Sequence, residues 1–255
     1  MQDKNYQLLT INSFLMSLFL PEFTGTALLL LFGNGVNANV VLYKTKGNNS
    51  GWIVIAFGWA IAVFVGVYVC TSLGGEGHLN PAVTIADAIK INDWTKVPVY
   101  IAAQMLGAMA GAFLAWLSYR QHFNETTDAD GQLAVFCNAP AIKSTTDNLI
   151  TEIIGTFALV FGAFSIAGGK INDVGISLGA LNALPVALLV LGIGLSLGGP
   201  TGYAINPARD LGPRIMHFIL PVKNKRDSNW SYSWIPVVGP IIGGIIAALV
   251  FRIIQ

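Results

Sequence analysis

Charge is scarce in this chain: Asp, Glu, Lys and Arg make up 11% of its 255 residues, against roughly 25% in soluble domains. That scarcity excludes water as the main solvent of its surface. The formal net charge of +1 gives no field that would recruit a nucleic acid or an acidic partner. Two cysteines, Cys70 and Cys137, form neither a disulfide framework nor a metal-ligand spacing. Cys70 lies in an apolar run and reads as a small buried thiol. The three histidines, His78, His122 and His217, make no metal-binding set. No nucleophile–base pair or phosphate loop occurs, so the sequence predicts no enzyme, no metal and no cofactor. A leader-cleavage pattern is also missing. The first apolar segment ends in Leu20-Pro21-Glu22-Phe23 without a small-residue cleavage site, which predicts a retained membrane helix.

Apolar residues are plentiful, at 54% of the chain, with a mean hydropathy of +0.63. A helix crossing a bilayer needs about 20 mostly apolar residues. Six stretches qualify: Phe14–Phe32, Trp52–Ser72, Val97–Tyr119, Leu149–Ala167, Leu178–Gly198 and Trp234–Ile254. The connections, among them Tyr43–Ser50, Arg120–Asp130 and Pro221–Asp227, hold nearly all the charge. Glycines four apart, Gly107 with Gly111 and Gly239 with Gly243, would let helix backbones approach closely.

The chain also repeats itself. Glu22-Phe-Thr-Gly-Thr in the first span answers Glu152-Ile-Ile-Gly-Thr in the fourth. His78-Leu-Asn-Pro-Ala follows the second span as Ala204-Ile-Asn-Pro-Ala follows the fifth, and Gly107 in the third span answers Gly243 in the sixth. The two repeats cover about 14–119 and 149–254, within a single transmembrane domain, 1–255. Each holds three spans, an odd number, so the halves enter the membrane in opposite directions. An inverted repeat places its site where the halves meet.

Asn80-Pro81-Ala82 and Asn206-Pro207-Ala208 each read as a helix start, with Asn as N-cap and Pro in the first turn. The helices they open, about Ala82–Ile89 and Ala208–Phe218, are too short to span. Irregular backbone at membrane depth survives only where protein buries it or a watery cavity adjoins it. Two re-entrant half-helices meeting N-terminus to N-terminus satisfy that rule. Each start carries roughly half a positive charge. Asn amides and loop carbonyls would replace a neutral solute's water contacts, while a cation meets a positive field.

These motifs carry a resemblance over essentially the whole chain: the sequence resembles the major intrinsic protein (aquaporin) family, specifically its glycerol-facilitator branch. The resemblance implies an all-α membrane protein with six spans and two half-helices around one pore. It also implies four subunits per assembly, a cell-membrane location and cytoplasmic termini. Small uncharged solutes (glycerol, water, with lactic acid as a further cargo) and the lipid bilayer are the implied partners. By the family's spacing the selectivity filter falls on Gly194, Tyr203 and Arg209. The fourth position is Trp59 if loop Ser72–Gly77 carries one extra residue, or Ala60 if the helix does; Trp59 is preferred. In that set two aromatic faces meet a polyol's carbons and Arg209 donates to its hydroxyls. Gly194 leaves space where water-selective relatives place a histidine. Asp210 and Arg214, one helical turn apart, and Pro236-Val237 also match the glycerol branch.

Glu22 and Glu152 lie inside apolar helices, which is costly for unpaired acids. One reading is a proton relay. The resemblance implies instead that each braces a re-entrant loop, with His78 a partner of Glu22, so that loop carbonyls, including those near Ala204 and Ile205, face the pore. Glu76 departs from the family pattern and reads either as a mouth acid acting on cations or pH, or as a solvated loop residue. In the family orientation Lys and Arg divide five inside to nine outside, or five to seven without Arg209 and Arg214. That runs against the positive-inside rule, so the orientation rests on resemblance alone. A strict water channel and an energised secondary transporter remain as alternatives.

Overall fold

The computed structural model describes residues 2–167, 170–171, 174–175 and 178–255. Among them nine α-helices run in chain order. The first half holds α1 (Gln2–Val41), α2 (Trp52–Ser72), α3 (Pro81–Ile91) and α4 (Val97–Glu125), followed by the linking α5 (Ala129–Phe136). The second half holds α6 (Thr145–Ala167), α7 (Leu184–Leu197), α8 (Pro207–Ile219) and α9 (Ile235–Ile254). A two-residue antiparallel ladder, Lys170–Ile171 with Val174–Gly175, lies between α6 and α7. Five of the helices are long and apolar enough to cross a membrane.

The same contacts recur in both halves. A Cβ on Gly107 of α4 would lie 2.4 Å from the Phe23 carbonyl oxygen of α1, and one on Gly243 of α9 would lie 2.3 Å from that of Ile153 in α6. Neither position tolerates a side chain without helix separation. Close approach through small residues is how helices associate where lipid removes the hydrophobic drive. The half-helices cross over: Ala82 of α3 meets Gly244 of α9, and Gly212 of α8 meets Ala108 of α4. Each half-helix is therefore held by the last span of the other half.

Several boundaries differ from the sequence expectation, among them the start of the fourth span, at Thr145 rather than Leu149. The fifth span begins at Leu184 rather than Leu178, because Pro185 sits in its first turn. The preceding residues form a separate 3-10 turn, Gly179–Leu181, with Asn182 Oδ1 accepting from the Leu178 amide at 2.6 Å. At 14 residues, α7 rises about 21 Å, less than the ~30 Å hydrocarbon core. The first helix runs on to Val41 through Gly33-Asn34-Gly35, and α4 continues past Tyr119 to Glu125. Helix α5 was not anticipated. It is capped by Asp128, whose side chain accepts from Asp130 N, and it buries Leu133 and Phe136.

Candidate functional site

Both half-helices begin as their sequences require. Asn80 Oδ1 accepts from Ala82 N at 2.9 Å, and Asn206 Oδ1 accepts from Ala208 N at 3.0 Å and Arg209 N at 3.2 Å. Pro81 and Pro207 fill the first helical positions, where no N–H is missed. The amide ends of the same asparagines reach across the junction. Asn80 Nδ2 donates to Ile205 O and Asn206 Nδ2 to Leu79 O, each at 2.8 Å. Each amide has two hydrogens, and one of them ties the halves together.

The approach loops are braced by the two buried acids. Glu22 accepts from the backbone N–H of His78 and of Leu79, each at 2.8 Å, and from Gln104 Nε2 at 2.8 Å. Glu152 accepts from Ala204 N at 3.0 Å and Ile205 N at 2.8 Å. His78 thus meets Glu22 through its backbone, while its ring turns elsewhere, to Thr84. A trans peptide points its N–H and C=O in opposite directions. The carbonyls of Gly77 and His78 therefore point away from Glu22, and those of Tyr203 and Ala204 away from Glu152. Leu79 and Ile205 hold φ of 50° and 44°, and Tyr203 holds 40°. Such left-handed values strain residues with a side chain, and the carboxylate and asparagine bonds hold them there.

These loops line one wall of a cavity of about 270 Å³. Leu29, Val63, Val67, Leu159 and Val190 line it with apolar surface. The cavity is thus amphipathic, with polar atoms from the loops and hydrocarbon from the spans. Towards one end Arg209 is buried, with its guanidinium carbon 4.1 Å from the Trp59 ring centroid. A cation over an indole face is attracted by the ring quadrupole. Trp59 is fixed in turn by Nε1 donating to Asn37 Oδ1 at 3.0 Å. Arg209 Nη1 and the Tyr203 hydroxyl, both buried, find no hydrogen-bond partner in the protein. Ala60 is buried but is not among the residues lining the cavity.

Gly194 differs from expectation. A Cβ there would lie 2.8 Å from Tyr203 Cζ, so the room it leaves is filled by the tyrosine ring rather than left open. Its carbonyl accepts from Trp52 Nε1 at 2.9 Å, and Trp52 meets Tyr203 edge-on. Asp210 and Arg214 form a fully buried pair, with Arg214 Nη2 2.7 Å from Asp210 Oδ1. Arg214 also donates to the carbonyls of Asn138 and Ser228, and Asp210 accepts from Asn138 N. The pair ties α8 to its neighbouring loops. Pro236 and Val237 sit in the first turn of α9 and do not line the cavity.

The linear pattern missed Asn37, Gln104 and Asn138. The usable signal was a polar residue inside an apolar helix, as for Asn37 and for Gln104 three residues before Gly107.

Comparison with known proteins fits this arrangement. The family model described as "Major intrinsic protein" matches residues 10–251. The chain belongs to the major intrinsic protein family. A probable glycerol uptake facilitator protein of Thermotoga maritima is 56% identical over 93% of this chain and 99% of its own length. A glycerol uptake facilitator protein of Streptococcus pneumoniae is 53% identical over 94% and 100%. The X-ray structure of the aquaglyceroporin from Plasmodium falciparum superposes with a TM-score of 0.81 at 30% identity, covering 93% of this chain and 96% of that one. The all-helical architecture is that of the family, built as a multi-pass membrane protein.

Proposed function

We propose that this major intrinsic protein is a passive channel for glycerol and other small uncharged solutes, water included, with no catalytic step. The observation that carries the reading is the pairing of free donors with apolar faces. Arg209 Nη1 and the Tyr203 hydroxyl stand unpartnered within the protein, and both residues line the cavity with Trp59, on whose ring the guanidinium lies. A buried polar group without a partner costs about 1–3 kcal/mol, and a polyol hydroxyl removes that cost while its carbons lie on the indole. In this reading Trp59, Gly194, Tyr203 and Arg209 form the filter. The Asn80 and Asn206 junction is a second contact point, where the half-helix starts repel cations.

The histidines support a polyol pore over a strict water pore. His78 lies by Glu76 and Asp87, His217 hydrogen-bonds Ser228, and His122 contacts the Tyr43 carbonyl. None of them adjoins Arg209. We place four copies in the assembly, in the cell membrane with both termini cytoplasmic, on family resemblance. The test is osmotic re-swelling of proteoliposomes in glycerol, water alone, lactic acid near its acid form, and salt. Rapid glycerol entry with salt excluded supports the reading; vesicles that pass water but exclude glycerol refute it.

A further inference from the structure

The mouth of the cavity farther along α3 from the asparagine junction carries Glu76, His78 and Asp87, a cluster that conduction of a neutral solute does not require. All three line the cavity, and one ligand-type atom from each lies within 4.8 Å of the others. His78 Nε2 is 3.6 Å from Glu76 Oε2 and 3.8 Å from Asp87 Oδ2. The second oxygen of each carboxylate is already engaged: Glu76 Oε1 by Lys96, and Asp87 Oδ1 by Lys90 at 3.3 Å. The Tyr100 ring meets His78 edge-on at 5.2 Å.

The other side of the imidazole decides what Nε2 can be. Thr84 Oγ1 donates to Asn80 O at 3.1 Å and accepts from Gln104 Nε2 at 2.9 Å. Its remaining lone pair faces His78 Nδ1 at 3.2 Å, so Nδ1 is the donor there and carries the hydrogen. In the neutral ring Nε2 then presents a lone pair towards two carboxylate oxygens. Three electron-rich atoms converge with nothing positive between them. A histidine whose far nitrogen donates to a fixed acceptor is the usual supporting arrangement for a metal ligand.

We propose that Glu76, His78 and Asp87 form a binding site for a divalent transition-metal ion of the Zn²⁺ class, and that its occupancy obstructs this mouth of the pore. Tetrahedral Zn²⁺ with bonds of about 2.0–2.2 Å spaces its ligands about 3.3–3.6 Å apart, at most a few tenths closer than the two histidine distances here and inside the 4.8 Å that bounds all three atoms. Glu76, on a partly exposed loop, supplies that adjustment. Lys90 and Lys96 balance the two acids, so hard cations held by oxygen charge alone gain little. An ion that bonds imidazole nitrogen is favoured instead. The second half has Gly202 and Ala204 at the positions of Glu76 and His78, so the opposite mouth lacks the site.

Tag-free protein in detergent is titrated with Zn²⁺ against a competing chelator, and glycerol flux is measured in proteoliposomes with ZnCl₂ and then EDTA. The binding arm does not depend on the glycerol-channel reading; only the flux arm rests on it. The parent should bind one Zn²⁺ per subunit at this site. Glu76→Gln and Asp87→Asn should each bind about tenfold more weakly or worse, with metal-free flux intact. Reversible block by Zn²⁺ should shift by the same factor in each variant, and MgCl₂ should leave flux unchanged. Equal Zn²⁺ affinity in the parent and both variants overturns the site. Site-dependent binding that leaves flux unchanged overturns the obstruction.

Discussion

Arg209 is a charged side chain that the structure places against the cavity with a free nitrogen. Its guanidinium does not lose its proton, so it does two jobs: it donates to solute hydroxyls and adds a full positive charge to the barrier. Arg209→Val removes both and exposes the Trp59 face. Glycerol should still pass, and a small cation leak should appear in planar-bilayer recording, limited because the half-helix fields remain. A variant as tight to cations as the parent, with glycerol flux confirming an open pore, would show the charge to be dispensable. Glu152 makes a complementary case. Its two oxygens accept from two different backbone amides, so Gln retains one acceptor and turns its amide NH₂ on the other donor. Ala leaves both donors buried and unpaired, at about 1–3 kcal/mol each. Folded yield should fall in the order Glu, Gln, Ala, with flux per folded channel following it. A Gln variant with full yield but abolished pH-driven flux would point to a proton relay instead.

Helix contacts set the next scale. Gly107 and Gly243 each bring a helix within reach of a neighbouring carbonyl that no Cβ can share, whereas Gly35 of α1 has nothing within 4 Å of its virtual Cβ. Gly243→Val should part α9 from α6 and remove most of the folded protein on size-exclusion chromatography; Gly35→Ala should elute as the parent does. Much of this layout was legible in the chain. The paired Glu-x-x-Gly-Thr and Asn-Pro-Ala segments announced the inverted repeat, because backbone-level features leave sequence signs: a capping Asn, a first-turn Pro, a glycine at a crossing. The start of α7 was not read correctly, since Leu178–Ala183 carries no charge and runs straight into the apolar helix, and Gly179, Asn182 and Pro185 are the marks of the break. The close fit of Tyr203 on Gly194 and the Asn37 bond to Trp59 were equally hidden. They join residues far apart in sequence, and hydropathy carries no record of which side chain fills a gap.

At the scale of the whole molecule, the two halves are joined through their re-entrant parts. Each asparagine caps its own half-helix and clasps the other half's loop, while each half-helix rests on the opposite third span. Such a junction is fixed by buried hydrogen bonds on both sides, and alternating access would have to break them in every cycle. The central claim is therefore a static pore driven by the solute gradient alone. Stopped-flow glycerol permeability of proteoliposomes, with and without imposed proton and sodium gradients and over a range of temperatures, tests it directly. The account predicts a rate that ignores both gradients, rises in proportion to the glycerol gradient and depends on temperature as weakly as diffusion in water. Uphill glycerol accumulation driven by either ion gradient would contradict it.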